Sequence, residues 1–163
     1  MPSWTIRTAT LQDVDSLLAL WRAADVHPAT GSHRQGLERL LASDAEALLV
    51  AELHALGTSA DSGAGSDPGS SSAARCIPLA GSLIAVWDGW RGSFYRLAVH
   101  PEHRRAGLAT ALVREGKRRL AGHGAERLTA IVAEEDPGAH EFWAAAGYQF
   151  QAGRERFVRE LAP

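Results

Sequence analysis

The segment that most constrains the fold is a strand, a short turn and a helix that follow one another over residues 97–110. An apolar strand closes at Val99, and Gly107 stands where the next helix begins. The first amide groups of a helix lack an intrahelical partner and carry partial positive charge, so such an end binds phosphate. Arg104 and Arg105 add formal charge to the loop. We therefore predict a phosphate-binding loop within an α/β domain.

Two common nucleotide-binding patterns do not occur at this turn. No Gly-Lys-Ser/Thr follows with Walker spacing, and the dinucleotide pattern Gly-x-Gly-x-x-Gly is missing. A glycine at a helix start, taken alone, also fits a plain strand–turn–helix with solvated arginines.

The hydrophobic periodicity predicts ten elements in the order β-α-α-β-β-β-α-β-α-β. Hairpin-linked strands come first and two strand–helix units follow, which implies an α/β fold with a mixed sheet and helices on both faces. Thr10 with Asp13, and Ser32 with Gln35, are typical helix-start pairs. The predicted strands cover 3–9, 47–53, 79–87, 94–99 and 127–133, with one or two more in 150–161, and the helices cover 10–24, 37–41, 108–120 and 137–146.

Residues 57–75 form a different kind of segment, made almost entirely of Gly, Ser, Ala and Asp with Pro68. This composition cannot bury enough apolar surface to offset the entropy of ordering. We expect a flexible Gly/Ser-rich insertion inside a single domain that spans 1–163. A lid over a ligand site is the alternative, although the segment has no aromatic residue to grip a ligand.

Composition and charge narrow the class of protein. The formal net charge is −2, which gives no indication of nucleic-acid or membrane-surface binding. The one cysteine, Cys76, cannot form an internal disulfide and is typical of a reducing compartment. No Cys/His pair has zinc-site spacing, and no signal peptide or membrane-length apolar run is present. We expect a cytoplasmic protein without a metal.

The loop also fits a longer pattern. Residues 104–109 read Arg-x-x-Gly-x-Ala, residues 97–101 before them read Leu-x-Val-x-Pro, and residues 139–148 read Ala-His-Glu-Phe-Trp-Ala-Ala-Ala-Gly-Tyr. These motifs resemble the Gln/Arg-x-x-Gly-x-Gly/Ala loop and the Ala-x-x-x-Phe-Tyr-x-x-x-Gly-Phe junction of the GNAT superfamily of acyl-CoA N-acyltransferases. The resemblance covers nearly the whole chain apart from the insertion. It implies a mainly antiparallel mixed sheet that is splayed between its fourth and fifth strands.

The resemblance implies an acetyl-CoA site built largely from backbone groups. The amides of residues 105–110 would hold the CoA pyrophosphate. The pantetheine arm would lie between the fourth and fifth strands, and a backbone N–H near Val99 would polarise the thioester carbonyl. The cofactor-binding residues implied in this way are Leu97, Val99, Arg104, Arg105, Ala106, Gly107, Leu108, Ala109, Thr110, Asp136 and Phe142.

Three positions depart from the family pattern. The usual acid, the Tyr of the Phe-Tyr pair, is Trp143 here, and an indole N–H donates a hydrogen bond but cannot deliver a proton. An Asn that commonly contacts the cofactor is Asp136 here. A Glu that some members place near the start of the central strand is Ser93 here.

The candidate catalytic residues are therefore Glu134, Tyr95 and Trp143. Glu134 and its neighbour Glu135 follow the fifth strand, where each is either a base or a solvated carboxylate. Tyr95 is either a proton donor or a packing aromatic. His27 in the loop after the first helix, and Trp87 and Trp90 around the hairpin turn, stay open between site and structural roles.

The resemblance predicts an N-acetyltransferase in which a primary amine attacks acetyl-CoA directly. The acceptor would be the amine of a small molecule or peptide, with no nucleic acid and no membrane as partner. One alternative is a GNAT-like sensor or subunit that binds acetyl-CoA without turnover, and another is an unrelated nucleotide-binding α/β protein. A homodimer is compatible with the sequence.

Overall fold

One five-stranded sheet organises the residues described by the computed structural model, which are 3–26, 33–54, 78–159 and 161. The strands are β1 (Ser3–Thr8), β2 (Leu48–His54), β3 (Leu79–Trp87), β4 (Gly92–Val99) and β5 (Leu128–Ala130), and they lie side by side in chain order. The helices are α1 (Val14–Ala23), α2 (His33–Ser43), α3 (Leu108–Gly122) and α4 (Pro137–Ala145). This is the predicted order up to α4.

The strand pairing divides the sheet into an antiparallel part and a short parallel part. β1 to β4 pair antiparallel, whereas β5 pairs parallel to β4. The parallel pairing runs only from Gly92 with Leu128 to Phe94 with Ala130. Beyond that point, within the described residues, β4 has no strand on its outer side, and we call this opening the fork. The mixed α/β sheet confirms the predicted fold class, and the fork is the expected splay between the fourth and fifth strands.

Helices cover both faces of the sheet. Beneath α1 and α2, Leu17 and Leu37 pack in one apolar cluster with Val50 of β2. Beneath α3, Leu112 packs in a second cluster with Leu83 of β3. Full burial of such a side chain contributes about 1.5–3 kcal/mol, so these clusters fix both helix layers against the sheet.

A β-bulge interrupts the pairing of β3 with β4. Leu83 of β3 lies opposite two residues of β4, Arg96 and Leu97. Arg96 adopts a φ of +51°, in the left-handed region. A bulge increases the local twist and changes the direction of the residues that follow it. It therefore sets the course of β4 along the fork.

The predicted start of the first helix is confirmed. A 3-10 turn over Leu11–Asp13 leads into α1. The Asp13 carboxylate is 2% exposed and accepts hydrogen bonds from the Thr10 N–H at 2.7 Å and from Arg7 at 2.8 Å. This local network positions the helix entry beside β1.

Two predictions for the C-terminal third are wrong. Residues 150–159 and 161 form no strand, and Phe150 and Phe157 are exposed. The fifth strand covers Leu128–Ala130 rather than 127–133. A strand needs a neighbour for its N–H and C=O groups, and apolar alternation alone does not supply one.

Several predictions concern residues that the structure does not describe. The Ser32 cap, His27 and the insertion at 57–75 lie outside the described ranges. The single-domain organisation stays a prediction. No helix within the described ranges has the length and hydropathy to cross a membrane.

Candidate functional site

The amino terminus of α3 is open and has no side-chain cap. Gly107, at the N-cap, has φ +80° and ψ +4°, a conformation that glycine adopts without strain. A Cβ placed on it would meet no atom of the described residues within 4 Å, so this side of Gly107 is open. The amides of Leu108, Ala109 and Thr110 have no intrahelical acceptor and carry the positive end of the helix dipole. This end of α3 is therefore suited to bind an anion such as a phosphate group.

Arg104 fixes the loop that leads into α3. Its Nε donates to the Val99 carbonyl at 3.3 Å, and its Nη2 donates to the Ala24 carbonyl at 3.1 Å. Ala24 is the C-cap of α1, so the cation lies at the negative end of that helix. The next two residues, Arg105 and Ala106, are exposed, and Arg105 has a φ of +62° that is strained for a residue with a Cβ. Arg104 is thus a tether, while the exposed Arg105 adds positive charge beside the helix end.

The backbone of β4 beyond the bulge faces the fork. The His100 N–H donates to the Ala80 carbonyl of β3 at 2.8 Å. Because neighbouring residues of a strand direct their backbone groups to opposite sides, Val99 and Leu97 direct theirs towards the fork. The Val99 carbonyl accepts the bond from Arg104 on that side. The structure therefore places the outer side of β4, on which Arg104 binds the Val99 carbonyl, next to the open end of α3.

The loop before α4 carries the acidic residues of the candidate site. The Asp136 carboxylate is the N-cap of α4 and accepts from the Ala139 N–H at 2.9 Å. Glu134 and Glu135 are exposed. Asp136 thus has a helix-capping role, which does not prevent its second oxygen from contacting a ligand.

The far end of α4 is closed by a Schellman motif. The Gly147 N–H donates to the Ala144 carbonyl at 3.0 Å, and the Tyr148 N–H donates to the Trp143 carbonyl at 2.9 Å. Gly147 has a φ of +87°, as this motif requires. The motif fixes the backbone of Tyr148 relative to Trp143.

Four aromatic rings meet at the base of the fork, and we call them the aromatic cluster. Trp143 stacks on Phe94 with ring centroids 5.8 Å apart, and Phe142 meets Trp143 edge-on at 5.3 Å. Tyr148 lies edge-on to Trp143 at 4.9 Å and to Phe94 at 6.3 Å. Phe94 is the last residue of β4 that pairs with β5. The cluster therefore packs α4 against the point where the two strands part.

Comparison with known proteins agrees with this arrangement. Residues 71–148 match the sequence model of the Acetyltransferase (GNAT) family. An acetyltransferase of Yersinia pestis is 28% identical over 146 residues, which cover 90% of this chain and 88% of the relative. These matches support the GNAT superfamily. They confirm the predicted resemblance and support an acetyltransferase function.

Solved acetyltransferase structures share this fold. The aminoglycoside 6'-N-acetyltransferase AAC(6')-Ig of Acinetobacter haemolyticus superposes with a TM-score of 0.66 at 20% identity, covering 97% of this chain and 99% of that one. AAC(6')-Iy in complex with the bisubstrate analogue CoA-S-monomethyl-acetylneamine superposes with a TM-score of 0.65 at 17% identity, covering 98% and 99%.

The other candidate residues from the sequence lie at separate places on the sheet and its turns. Tyr95 on β4 is 44% exposed. Trp87 stacks on His123, just after α3, with ring centroids 6.1 Å apart, which is a packing role. Trp90 is 68% exposed, and the Arg91 guanidinium lies 4.2 Å from its ring centroid. The loop before α3 thus lies next to the open side of β4, and α4 packs at the base of the fork, whereas Glu134 and Tyr95 are exposed.

Two residues in or beside β4, Arg96 and Tyr148, are not predicted as site residues from the sequence. Arg96 at the bulge is half-buried with its guanidinium 5.1 Å from the Trp21 ring centroid, and burial lowers the pKa of this arginine. Trp21 in turn donates to the buried Ser82 hydroxyl at 2.9 Å. The second is Tyr148, whose hydroxyl is buried and whose pKa burial raises. A bulge leaves no readable mark in the sequence, but an aromatic one position after a helix-ending glycine does mark Tyr148 as a packing residue.

The turn after β4 holds a group of possible metal ligands. Ligand atoms of His100, Glu102 and His103 lie within 4.8 Å of one another. His100 Nδ1 also accepts the Glu102 N–H at 3.4 Å, so this ring caps the 3-10 turn Pro101–His103. The expectation of no metal stays a prediction.

Proposed function

We propose that this GNAT protein transfers the acetyl group of acetyl-CoA to a primary amine by direct attack of the amine on the thioester. The observation that carries the proposal is the uncapped amino terminus of α3 directly beside the unpaired side of β4. The helix terminus supplies unpartnered amides for the pyrophosphate of the cosubstrate. The unpaired side of β4 supplies a strand edge for its amide-containing pantetheine arm. The solved relative AAC(6')-Iy, which is bound to a CoA–aminoglycoside bisubstrate analogue, supports both the cosubstrate and the amine acceptor.

Backbone groups would hold most of the cosubstrate. The amides of residues 105–110 receive the pyrophosphate, and Arg105 adds charge. Leu97 and Val99 pair with the amides of the pantetheine arm, while Arg104 keeps the loop in place. Asp136, at the N-cap of α4, and Phe142, within α4, would contact the cosubstrate from the other side. The open surroundings of the Gly107 Cβ position, among the described residues, support this placement of the phosphate.

Catalysis would depend mainly on positioning and on backbone polarity. The amine must be neutral to attack, although a lysine-type amine with a pKa of about 10.4 is mostly protonated at neutral pH. Glu134 accepts its proton through water, as its exposure permits. A β4 N–H near Val99 stabilises the developing oxyanion. Tyr95 and the indole N–H of Trp143 are the candidate donors near the reacting groups, Trp143 by hydrogen bonding alone.

The acceptor would be a small molecule or a peptide. Positioning of the amine against the thioester can supply a large part of the rate. A GNAT domain that lacks the family's usual tyrosine at Trp143 can therefore still turn over. The tryptophan at this position also favours the second candidate function, which is a sensor that binds acetyl-CoA without transferring the acetyl group.

The deciding experiment is titration calorimetry with acetyl-CoA, followed in the same sample by thiol release with a panel of amines. The panel should contain an aminoglycoside, polyamines, free amino acids and peptides with a free amino terminus. Binding followed by thiol release on any of them supports the proposed transferase. Binding without release across the panel supports the sensor instead, and no binding contradicts both.

A further inference from the structure

The 3-10 turn between β4 and the loop before α3 brings two histidines together. His100 is the N-cap of the turn Pro101–His103, so His100 and His103 are three residues apart. Three residues complete one turn of a 3-10 helix, and side chains at this separation lie close to each other. The centroids of the two imidazole rings are accordingly 5.6 Å apart. A single ion between the rings can therefore contact both.

Glu102 adds a carboxylate to the two imidazoles. Its Oε2 lies 3.9 Å from Nδ1 of His100. One ligand atom from each of His100, Glu102 and His103 lies within 4.8 Å of the other two. Zinc binds imidazole nitrogen at about 2.0–2.1 Å and carboxylate oxygen at about 2.0–2.2 Å. An ion between Nδ1 and Oε2 therefore spans the present gap after a small rotation of the Glu102 side chain.

The backbone of the turn keeps the histidines in place. The His103 N–H donates to the His100 carbonyl at 2.8 Å, and the Arg104 N–H donates to the Pro101 carbonyl at 3.3 Å. Pro101 also fixes φ at the first position of the turn. Both histidines are half-buried, whereas the side chain of Glu102 is 80% exposed. The fold thus holds the two nitrogen ligands, and the carboxylate is able to move and complete the set.

Local bonding within the turn does not account for the whole group. Nδ1 of His100 accepts the Glu102 N–H at 3.4 Å, which is longer than usual for such a bond. The 3.9 Å contact between His100 and Glu102 is an ion pair only when the imidazole is protonated, and exposed pairs contribute little to stability. Neither contact involves the ring of His103. A metal ion would join all three side chains.

We propose that His100, Glu102 and His103 bind a zinc ion. Two imidazoles and a carboxylate are a ligand set of zinc sites, and imidazole favours zinc over the harder magnesium and calcium ions. Water completes the tetrahedral coordination. The ion ties the end of β4 to the loop that begins at Arg104, and its binding does not depend on the proposed acetyl transfer.

This proposal replaces the sequence-based expectation of no metal. That expectation rests on the spacing of Cys and His, and two histidines three residues apart are closer in sequence than those of a zinc finger. The 3-10 turn decides the matter, because it brings residues at this short spacing to one place.

The test is titration calorimetry with zinc chloride on the ligand-free chain, without an affinity tag and after a chelator has removed bound metal. We expect one zinc ion per chain with a Kd in the micromolar range, and no binding of magnesium chloride. At a free zinc concentration of about 100 times Kd, the melting temperature should rise by about 5–10 °C. The absence of zinc binding overturns the proposal, as does millimolar binding without a rise in melting temperature.

Glu102→Gln and His103→Gln locate the ion. Each should raise the Kd for zinc at least about tenfold, since losing even an outer-sphere contact has such an effect. Glu102 is exposed, so the melting temperature of Glu102→Gln without zinc should stay within about 2 °C of wild type. This variant carries the test if His103→Gln proves unstable.

His123→Gln is the matched control. His123 stacks on Trp87 and belongs to no group of three possible metal ligands within the described ranges. Its replacement should leave the Kd for zinc unchanged. If Glu102→Gln and His103→Gln bind zinc as tightly as wild type, the ion binds elsewhere and the proposal is wrong.

Discussion

The guanidinium of Arg104 donates to the carbonyl of Ala24, 80 residues earlier in the chain, at 3.1 Å, and thereby joins the loop before α3 to the end of α1. Arg104→Ala removes this bond and the one to Val99. We expect the free energy of unfolding to fall by about 1–2 kcal/mol and the Kd for acetyl-CoA to rise about tenfold, because the loop loses its anchor. Urea unfolding and titration calorimetry measure the two effects.

Arg105→Ala is the control for that substitution. Arg105 is the next residue in the loop, exposed and equally charged. The Arg105→Ala substitution should weaken acetyl-CoA binding in a salt-dependent way. It should change the free energy of unfolding by less than about 0.5 kcal/mol. If Arg104→Ala and Arg105→Ala lowered the free energy of unfolding equally, Arg104 would not be the residue that anchors the loop.

Gly107→Glu should weaken acetyl-CoA binding at least about 100-fold, because it places bulk and like charge where the pyrophosphate would lie. The matched control is Gly124→Glu. Gly124 follows α3, and its φ of +88° and empty surroundings equal those of Gly107. Both variants carry the same backbone strain, of about 1–2 kcal/mol, so only the first should lose affinity by calorimetry. Similar affinities would mean that the pyrophosphate binds elsewhere.

The close approach of α3 to the sheet depends on Gly116. A Cβ on it would lie 2.9 Å from Leu83 Cδ2 and 2.9 Å from Phe94 Cε1. Gly116→Ala should therefore lower the free energy of unfolding by about 1–3 kcal/mol through overpacking. Gly122→Ala, on the same helix with nothing within 4 Å of its Cβ, should be neutral or stabilising by up to about 1 kcal/mol. Thermal unfolding compares the two variants. Equal melting temperatures would show that α3 and the sheet can move apart enough to accept the Cβ at residue 116 without loss of stability.

The stability of the protein should depend on Asp13 in acid. Burial acts to raise the pKa of the Asp13 carboxyl, but hydrogen bonds from Arg7 and Thr10 outweigh it and hold that pKa below its usual value. A folded pKa below the unfolded one, about 3.9, stabilises the protein above about pH 4, and the contribution is lost as pH falls through the folded pKa. Asp13→Asn should lower the free energy of unfolding at pH 7 by about 2–3 kcal/mol.

Urea unfolding between pH 7 and pH 3 tests this dependence. The deficit of Asp13→Asn against wild type should shrink below about pH 4, where the wild-type carboxyl also becomes neutral. Glu52→Gln is the control, since Glu52 bonds the same Arg7 but is 30% exposed. Its effect should stay below about 1 kcal/mol. A deficit of Asp13→Asn that does not change with pH would rule out the carboxylate as its source.

The loop and most of the element order could be predicted because they depend on local chemistry. Thr10 with Asp13, Asp136 before Pro137, and Gly107 and Gly147 at helix ends each act within a few residues of themselves. The strand prediction for residues 150–159 and 161 is wrong for the opposite reason. Its alternation resembles a strand, yet a strand exists only if a neighbour accepts its hydrogen bonds.

The sequence by itself therefore determined the strand–turn–helix at residues 97–110, the helix ends and the family resemblance, since these are local patterns of residue type. Only the tertiary structure decided where β4 and β5 part, that Arg104 bonds to Ala24, and that the Tyr148 hydroxyl is buried with no partner among the described residues. Each of these joins residues far apart in the chain, and no local pattern encodes which distant groups will meet. The physical reason is that burial and pairing belong to the packed chain rather than to any one segment.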